Sequence, residues 1–200
     1  RDLDRGLDFY APQTCLAPDG RRLMIGWAHA WGCETPMHRL GHGWTGTMTL
    51  IRECWIENDK LYQCPIRELE NRRRNGIARE NLLVGEKTQL SECIGACREM
   101  MLDINMREAE KIEIHLMETG DECVVLTYHK KDQRLMIDRS ASGYSLTKEG
   151  VNEPRNQATA DVSLNDGMLS LHIFVDVSIV EVYANRGEKV LTCQAFPKGK

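Results

Sequence analysis

The sequence has no long hydrophobic run and no excess of positive charge, and both absences exclude classes of protein. No apolar stretch approaches the ~18 residues that a membrane-spanning helix needs. Acidic residues outnumber basic ones by 30 to 26, and the formal net charge is −4. Proteins that bind nucleic acid usually present a basic stripe, whereas the one basic run here, at residues 72–74, lies among acidic residues. We therefore expect neither a membrane nor a nucleic acid as a partner.

Metal-ligand patterns are also scarce. His38 and His42 have the i, i+4 spacing that would place both on one face of a helix, and Cys33 lies nearby. The glycines around these histidines indicate a loop, and no second cysteine or carboxylate follows at ligand spacing. The sequence likewise has no glycine-rich phosphate loop and no G-x-S-x-G motif. We expect no metal ion and no cofactor.

Cysteine, in contrast, is plentiful, with eight residues in a chain of 200. An even number allows disulfides. The chain is, however, not a small loop-rich scaffold, and the residues around Cys123 and Cys193 are typical of strand interiors. Buried free cysteine behaves as a small hydrophobic residue. We therefore expect reduced thiols and a cytoplasmic location.

Short alternating segments between turn signals predict antiparallel strands. Ile112, Ile114 and Leu116 alternate with polar residues, and so do the apolar residues of segment 169–175. The turn signals recur along the whole chain: Asp19-Gly20, Asn58-Asp59, Thr119-Gly120-Asp121, Ser142-Gly143, Asn165-Asp166-Gly167 and Asn185-Arg186-Gly187. Many short strands with such spacing indicate an all-β fold, either a sandwich or a propeller.

One apolar pattern changes phase near the end of the chain. Apolar residues occupy odd positions as far as Val175 and then even positions at Val180, Val182 and Ala184. A strand cannot change its buried face without a bulge or a turn. We therefore predict a hairpin with a tight turn at residues 176–178.

A single helical segment is predicted, and it marks the expected boundary between two domains. Segment 65–74 begins with a proline and is rich in Arg, Glu and Leu, which is typical of a polar linker helix. We divide the chain into a first domain at 1–64, a linker at 65–76 and a second domain at 77–200.

Three segments of the first domain carry a resemblance to a known family. Segment 4–13 reads D-R-G-L-D-F-Y-A-P-Q, segment 20–27 reads G-R-R-L-M-I-G-W, and segment 44–53 reads W-T-G-T-M-T-L-I-R-E. Their order and spacing resemble glycoside hydrolase family 32, the β-fructosidases, and segment 169–188 resembles the C-terminal sandwich of these enzymes. The resemblance implies the last blades of a five-bladed β-propeller followed by an antiparallel β-sandwich.

The resemblance also implies where the chemistry lies. The family's nucleophile, transition-state aspartate and acid/base glutamate lie upstream of these motifs, so we expect no catalytic residue in this chain. Carried over from the family, Asp4 would help to hold the sugar and Trp27 would line the fructose pocket. Gly26 would let the backbone bring Trp27 to the pocket mouth. Asp8 would support its strand, as would its neighbours at 9 and 10.

Two carboxylates invite a catalytic assignment that the motifs do not support. Glu53 stands before a cysteine, as the family's acid/base does, but it falls in the later segment 44–53. We expect it to be a structural partner of Arg52 or of a neighbour. Asp176 and Glu181 belong to the sandwich, where we expect structural roles. Trp31 and Trp44 are expected to be packing or loop residues.

The resemblance therefore implies the C-terminal portion of a retaining hydrolase of terminal β-fructofuranosides, inactive alone, with a small fructoside as substrate of the intact enzyme. A homo-oligomer, or pairing with the upstream portion, is a further expectation. A non-catalytic sugar-binding or interaction module remains an alternative. It would need exposed aromatic residues on one sandwich face, and this region offers four: Tyr128, Tyr144, Phe174 and Tyr183. A third possibility is one half of an enzyme whose other half is a separate chain.

Overall fold

The computed structural model of the protein describes residues 2–30, 32–91, 95–146 and 155–198. These residues form three antiparallel sheets and two short helices, which confirms the prediction of an all-β fold. Trp31 and Cys93 lie outside the described residues. Within the described ranges, no helix has both the length and the apolar character that crossing a bilayer requires.

The N-terminal sheet contains the first five strands. They are β1 (Tyr10–Leu16), β2 (Arg22–Ala28), β3 (Thr47–Met48), β4 (Arg52–Glu57) and β5 (Lys60–Pro65). The order is β1-β2-β4-β5, and β3 pairs with β2. Asn58 and Asp59 join β4 to β5 with φ values of 50° and 58°, the backbone conformation of a two-residue hairpin turn.

The helices differ from the prediction. A single turn of α-helix, α1 (Pro36–Arg39), was not predicted, and it begins at a proline, which suits the first helical position. The predicted helix at 65–74 is a shorter 3₁₀-helix (Arg67–Arg72) with no buried residue. Without an apolar face, this segment gains no hydrophobic packing that would stabilise a longer helix.

Eight further strands form two sheets that share one hydrophobic core, as in a β-sandwich. They are β6 (Arg98–Asn105), β7 (Lys111–Thr119), β8 (Glu122–His129), β9 (Arg134–Asp138), β10 (Gln157–Asp161), β11 (Met168–Asp176), β12 (Ile179–Ala184) and β13 (Lys189–Gln194). The sheet orders are β10-β9-β8-β7 and β13-β12-β11-β6. Leu126, Leu135 and Ile137 of the first sheet pack with Ile173 and Val182 of the second.

The phase change in the apolar pattern is a hairpin, as predicted. β11 and β12 pair in register as far as Asp176 opposite Ile179, which leaves Val177 and Ser178 as the two-residue turn. The buried positions alternate along β11, whereas every residue of β12 is buried. β12 is therefore covered on both of its faces.

The N-terminal part of the chain lies against the sandwich at β13. The backbone N–H groups of Arg5 and Leu7 donate hydrogen bonds to the carbonyls of Val190 and Thr192, at 2.7 and 2.8 Å. Leu7 also packs against the sandwich core. The N-terminal region is therefore docked on the sandwich, beginning with an added, strand-like segment alongside β13.

No side chain fits at Gly6, where this segment meets β13. A Cβ atom at Gly6 would lie 2.1 Å from the carbonyl oxygen of Thr192. We predict that Gly6→Ala lowers the free energy of unfolding by about 1–3 kcal/mol, the usual cost of overpacking. Gly76→Ala is the control, because a Cβ there meets nothing within 4 Å. Denaturant titration of both variants checks the prediction, and equal stabilities would contradict it.

Candidate functional site

Trp27 lies in an aromatic cluster on the N-terminal sheet. It is half-buried on β2, where it pairs with Tyr10 of β1 and Met48 of β3. Its indole stacks on the ring of His29, with centroids 4.3 Å apart and planes 9° from parallel. Tyr10, which is 42% exposed, meets the indole edge-on, at 6.4 Å and 64°. Trp27 and Tyr10 thus form an aromatic corner that solvent reaches.

Two glycines shape this cluster. A Cβ at Gly46 would lie 2.3 Å from Nε1 of Trp27, and Gly46 has a φ of +72° that disfavours other residues. Gly26 lies against a different aromatic residue. A Cβ there would lie 2.3 Å from the ring of Phe9, so Gly26 makes room for Phe9, and its predicted effect on the placement of Trp27 stays a prediction.

Asp4 is placed away from solvent, in contact with the sandwich. Its side chain is 1% exposed and forms an ion pair with Arg52 at 3.0 Å. One carboxylate oxygen accepts hydrogen bonds from the backbone N–H groups of Gly6 and Thr192, and the other accepts the hydroxyl of Thr192. Protein groups thus engage both oxygens. A direct contact between Asp4 and sugar stays a prediction that this geometry does not favour.

Arg52 is the centre of the contact between the two parts of the chain. Its side chain is fully buried, and its Nη2 donates to Glu181 at 2.9 Å and to Thr192 at 2.7 Å. The guanidinium lies between the rings of Phe9 and Tyr183, at 4.6 and 5.4 Å from their centroids. Burial alone would lower the pKa of Arg52, but Tyr183 and the adjacent carboxylates outweigh it and raise the pKa. The charge is therefore retained.

Glu181 has the structural role predicted for it. Its two oxygens accept the backbone N–H of Leu50 at 2.6 Å and the hydroxyl of Tyr183 at 2.8 Å. Burial, together with the neighbouring carboxylate, raises the pKa of Tyr183 well above its usual value. Asp176 is exposed and accepts the thiol of Cys97 at 2.9 Å. Glu181 is therefore a buried structural carboxylate, whereas Asp176 lies at the surface.

A second buried ion pair also joins the N-terminal region to the sandwich. Asp8 accepts hydrogen bonds from the Arg139 guanidinium and from the backbone N–H of Gln194, the latter at 2.7 Å. Its other oxygen is buried without a hydrogen-bond partner, and burial raises the pKa of the carboxyl although Arg139 opposes this. Asp8 thus anchors its strand to the sandwich, in keeping with the supporting role predicted for it.

Glu53 binds Arg21 and Arg67, and not Arg52. It accepts hydrogen bonds from the Arg67 guanidinium at 2.7 and 3.0 Å and from Arg21 at 2.7 Å. The Arg67 contacts, despite partial burial, hold the pKa of Glu53 at about 2. A general acid for glycoside cleavage needs a raised pKa. Glu53 is instead held deprotonated by its lowered pKa, as expected of a structural residue.

Other predicted features are placed as follows. Trp44 lies in a loop and is 56% exposed, as expected.

His38 belongs to α1 whereas His42 lies beyond its end, and the described part of the chain contains no group of three or more metal-ligating side chains. Seven cysteines are described, all as free thiols: Cys15, Cys33, Cys54, Cys64, Cys97, Cys123 and Cys193. Burial raises the pKa of Cys193 to about 12.

The aromatic residues that a sugar-binding sandwich would need are largely inaccessible. Tyr128 and Tyr183 are 0% and 2% exposed. The hydroxyl of Tyr128 donates to the carbonyl of Val162 at 2.8 Å, so its polar end is also engaged. Only Tyr144, at 38% exposure, presents a substantial aromatic surface among the four candidates of the sandwich. The aromatic corner at Trp27 is the stronger candidate for a sugar contact.

Comparison with protein-family models identifies the whole chain. Residues 1–65 match the model for the glycosyl hydrolases family 32 N-terminal domain, and residues 68–200 match the model for the family 32 C-terminal region. The chain belongs to glycoside hydrolase family 32. The resemblance stated from the motifs is therefore confirmed.

Relatives in family 32 are longer than this chain. Sucrose-6-phosphate hydrolase of Staphylococcus xylosus is 34% identical over 195 residues, which is 98% of this chain and 38% of the relative. Raffinose invertase of Escherichia coli is 31% identical over 214 residues, with the same coverage of both chains. The chain thus spans about two fifths of the length of these family 32 members.

Solved structures of family 32 members show the same fold. Sucrose-6-phosphate hydrolase from Lactobacillus gasseri superposes with a TM-score of 0.81 at 27% identity. The superposition includes 99% of this chain and 38% of the Lactobacillus gasseri enzyme. A mutant β-fructofuranosidase of Bombyx mori in complex with sucrose gives a TM-score of 0.74 at 24% identity, covering 100% and 38%. The latter shows a likeness of fold alone.

The contacts of Glu53 predict how stability changes with pH in this family 32 chain. The pKa is about 2 when folded against an ordinary value of 4.5, so the contribution to stability is present above pH 4.5 and is lost as the pH falls toward 2. We predict that Glu53→Gln lowers the free energy of unfolding at pH 7 by about 1–3 kcal/mol.

The variant should also lose part of the dependence of stability on pH between 4.5 and 2. Denaturant titrations at several pH values check this, and Glu80→Gln, which changes an exposed carboxylate, is the control. Parallel pH profiles for the wild-type chain and Glu53→Gln would show that the interpretation is wrong.

Proposed function

We propose that this chain is the C-terminal portion of a retaining hydrolase that cleaves terminal β-fructofuranosides, with sucrose 6-phosphate or sucrose as the substrate. The observation that carries the proposal is its similarity, over 98% of its length, to 38% of a sucrose-6-phosphate hydrolase. The activity is the whole enzyme's and needs the segment that precedes this one.

The carboxylates of this chain support the assignment of the chemistry to another segment. Retaining glycosidases use a nucleophile and an acid/base about 5–5.5 Å apart, one of them with a raised pKa. Asp4, Asp8 and Glu53 are each bound to an arginine. Burial raises the pKa of Asp8, but this residue is only 1% exposed, so a substrate cannot reach it. We infer that the chain alone does not hydrolyse fructosides.

In the proposed reaction, an upstream aspartate attacks the anomeric carbon and an upstream glutamate protonates the leaving oxygen, then activates water. This chain contributes part of the pocket wall. Trp27 would pack its indole on the C–H face of the furanose ring. Asp4 would act indirectly, by holding segment 4–8 and hence β1 in position against the sandwich.

The finer architecture is part of the same proposal. The N-terminal sheet would be the end of a five-bladed β-propeller, since propeller blades are antiparallel sheets of about four strands. β1 lies at one end of this sheet, and six of its seven residues are exposed. The preceding segment would cover this edge, because an open strand edge tends to pair. The free thiols are consistent with a cytoplasmic enzyme.

The test compares hexose released from sucrose and sucrose 6-phosphate by this chain alone and by the chain joined to the segment that precedes it in its gene. We predict no release by the chain alone and release by the joined protein. Trp27→Ala in the joined protein should lower kcat/KM about tenfold or more, the equivalent of 1.4 kcal/mol. Trp44→Ala, which changes an exposed loop residue, is the control.

Several outcomes separate the alternatives. Hydrolysis by the chain alone would contradict the assignment of the catalytic acids to another segment. Sugar binding without hydrolysis by the joined protein would support a binding module instead. Activity that returns only when this chain is mixed with a second chain would show that the two halves are encoded separately.

A further inference from the structure

His29 has no role in the sequence motifs, yet it covers one face of Trp27. His29 directly follows β2, two residues after Trp27, and the two side chains lie on the same side of the chain. Their rings are nearly parallel, with centroids 4.3 Å apart. His29 is 8% exposed, so the imidazole itself is held among protein groups.

Gly46 and Tyr10 also border the Trp27 indole. Gly46 closes the Nε1 edge, where no side chain would fit, and Tyr10 stands at an angle of 64° to the indole plane. The imidazole excludes substrate from one face. A ring that stacks on Trp27 must therefore use the opposite face, and the plane of that face is set by His29.

The imidazole is suited to this contact as a neutral ring. Burial lowers the pKa of His29, and His38 acts in the same direction, although Asp8 opposes both. A neutral imidazole stacks on the Trp27 indole as an aromatic ring and places no charge beside it. An aromatic residue without charge should therefore be able to replace it.

We propose that His29 is a positioning residue that holds the Trp27 indole in the plane in which it meets the furanose ring. The proposal rests on the proposed function, and it adds a residue that determines how the sugar is held. His29 does not touch substrate, because the indole lies between them. Its effect is on substrate affinity, and it acts through Trp27.

The first test uses the joined protein and the kinetic constants for sucrose 6-phosphate. The stack supports substrate and transition state alike, so its loss should raise KM with little change in kcat. We expect His29→Ala to raise KM by about tenfold, equivalent to 1.4 kcal/mol of binding. His29→Phe should restore most of the affinity, since it keeps an aromatic ring beside the indole.

His42→Ala is the matched control. His42 also neighbours a tryptophan, but its ring is tilted by 42° at 6.0 Å from Trp44, which is 56% exposed. This variant should leave KM unchanged. If the wild-type joined protein hydrolyses fructosides and His29→Ala keeps the wild-type KM, the inference alone is wrong. If the wild-type joined protein is inactive, the proposed function is wrong and the inference is overturned with it.

The second test needs no activity and uses the 200-residue chain. In NMR spectra, the indole N–H resonance of Trp27, assigned with Trp27→Phe, should shift in His29→Ala because the ring current of the imidazole is lost. It should return toward its wild-type position in His29→Phe, while the resonances of Trp44 and Trp55 stay in place. An unmoved Trp27 resonance would overturn the stack, and a general shift of all three would mean that His29 supports the fold and not the indole.

Discussion

The guanidinium of Arg52 is a positive charge with no access to water, and the two parts of this chain meet around it. Asp4 from the N-terminal segment and Glu181 from the sandwich both bind it, while Phe9 and Tyr183 cover its faces. A buried charge is tolerated only when it is paired and hydrogen-bonded. Neither part of the chain supplies all of these groups, so the buried charge is satisfied only when both parts are in contact.

This constraint extends to the candidate site. Arg52 begins β4, which pairs with β2, the strand that carries Trp27. Asp8 lies just before β1 and binds Arg139 of the sandwich. The aromatic corner is therefore built on a sheet whose position is set by ion pairs on its far side. In the proposed enzyme, the sandwich would thus act as a rigid support for the pocket wall.

Local features of the fold could be predicted from the sequence, whereas contacts between distant residues could not. The turn at Asn58-Asp59 and the hairpin after Asp176 follow from turn chemistry and apolar spacing, which are local. The spacing on β12 indicates a solvent face for Glu181, but a segment some 130 residues away covers it. The sugar contact of Asp4 came from the family resemblance and stays a prediction, whereas its partners Arg52 and Thr192 left no local signal. His29 was missed although its i, i+2 spacing from Trp27 was visible.

The most direct test of the central role of Arg52 is the free energy of unfolding of Arg52→Met in the 200-residue chain, compared with the triple variant Arg52→Met, Asp4→Asn, Glu181→Gln. Removal of the cation leaves two buried carboxylates, and loss of one partner of a buried pair costs about 3–5 kcal/mol. We predict a loss of that size for Arg52→Met and recovery of a large part of it in the triple variant. A loss below about 1 kcal/mol, the range of a surface ion pair, would contradict the account.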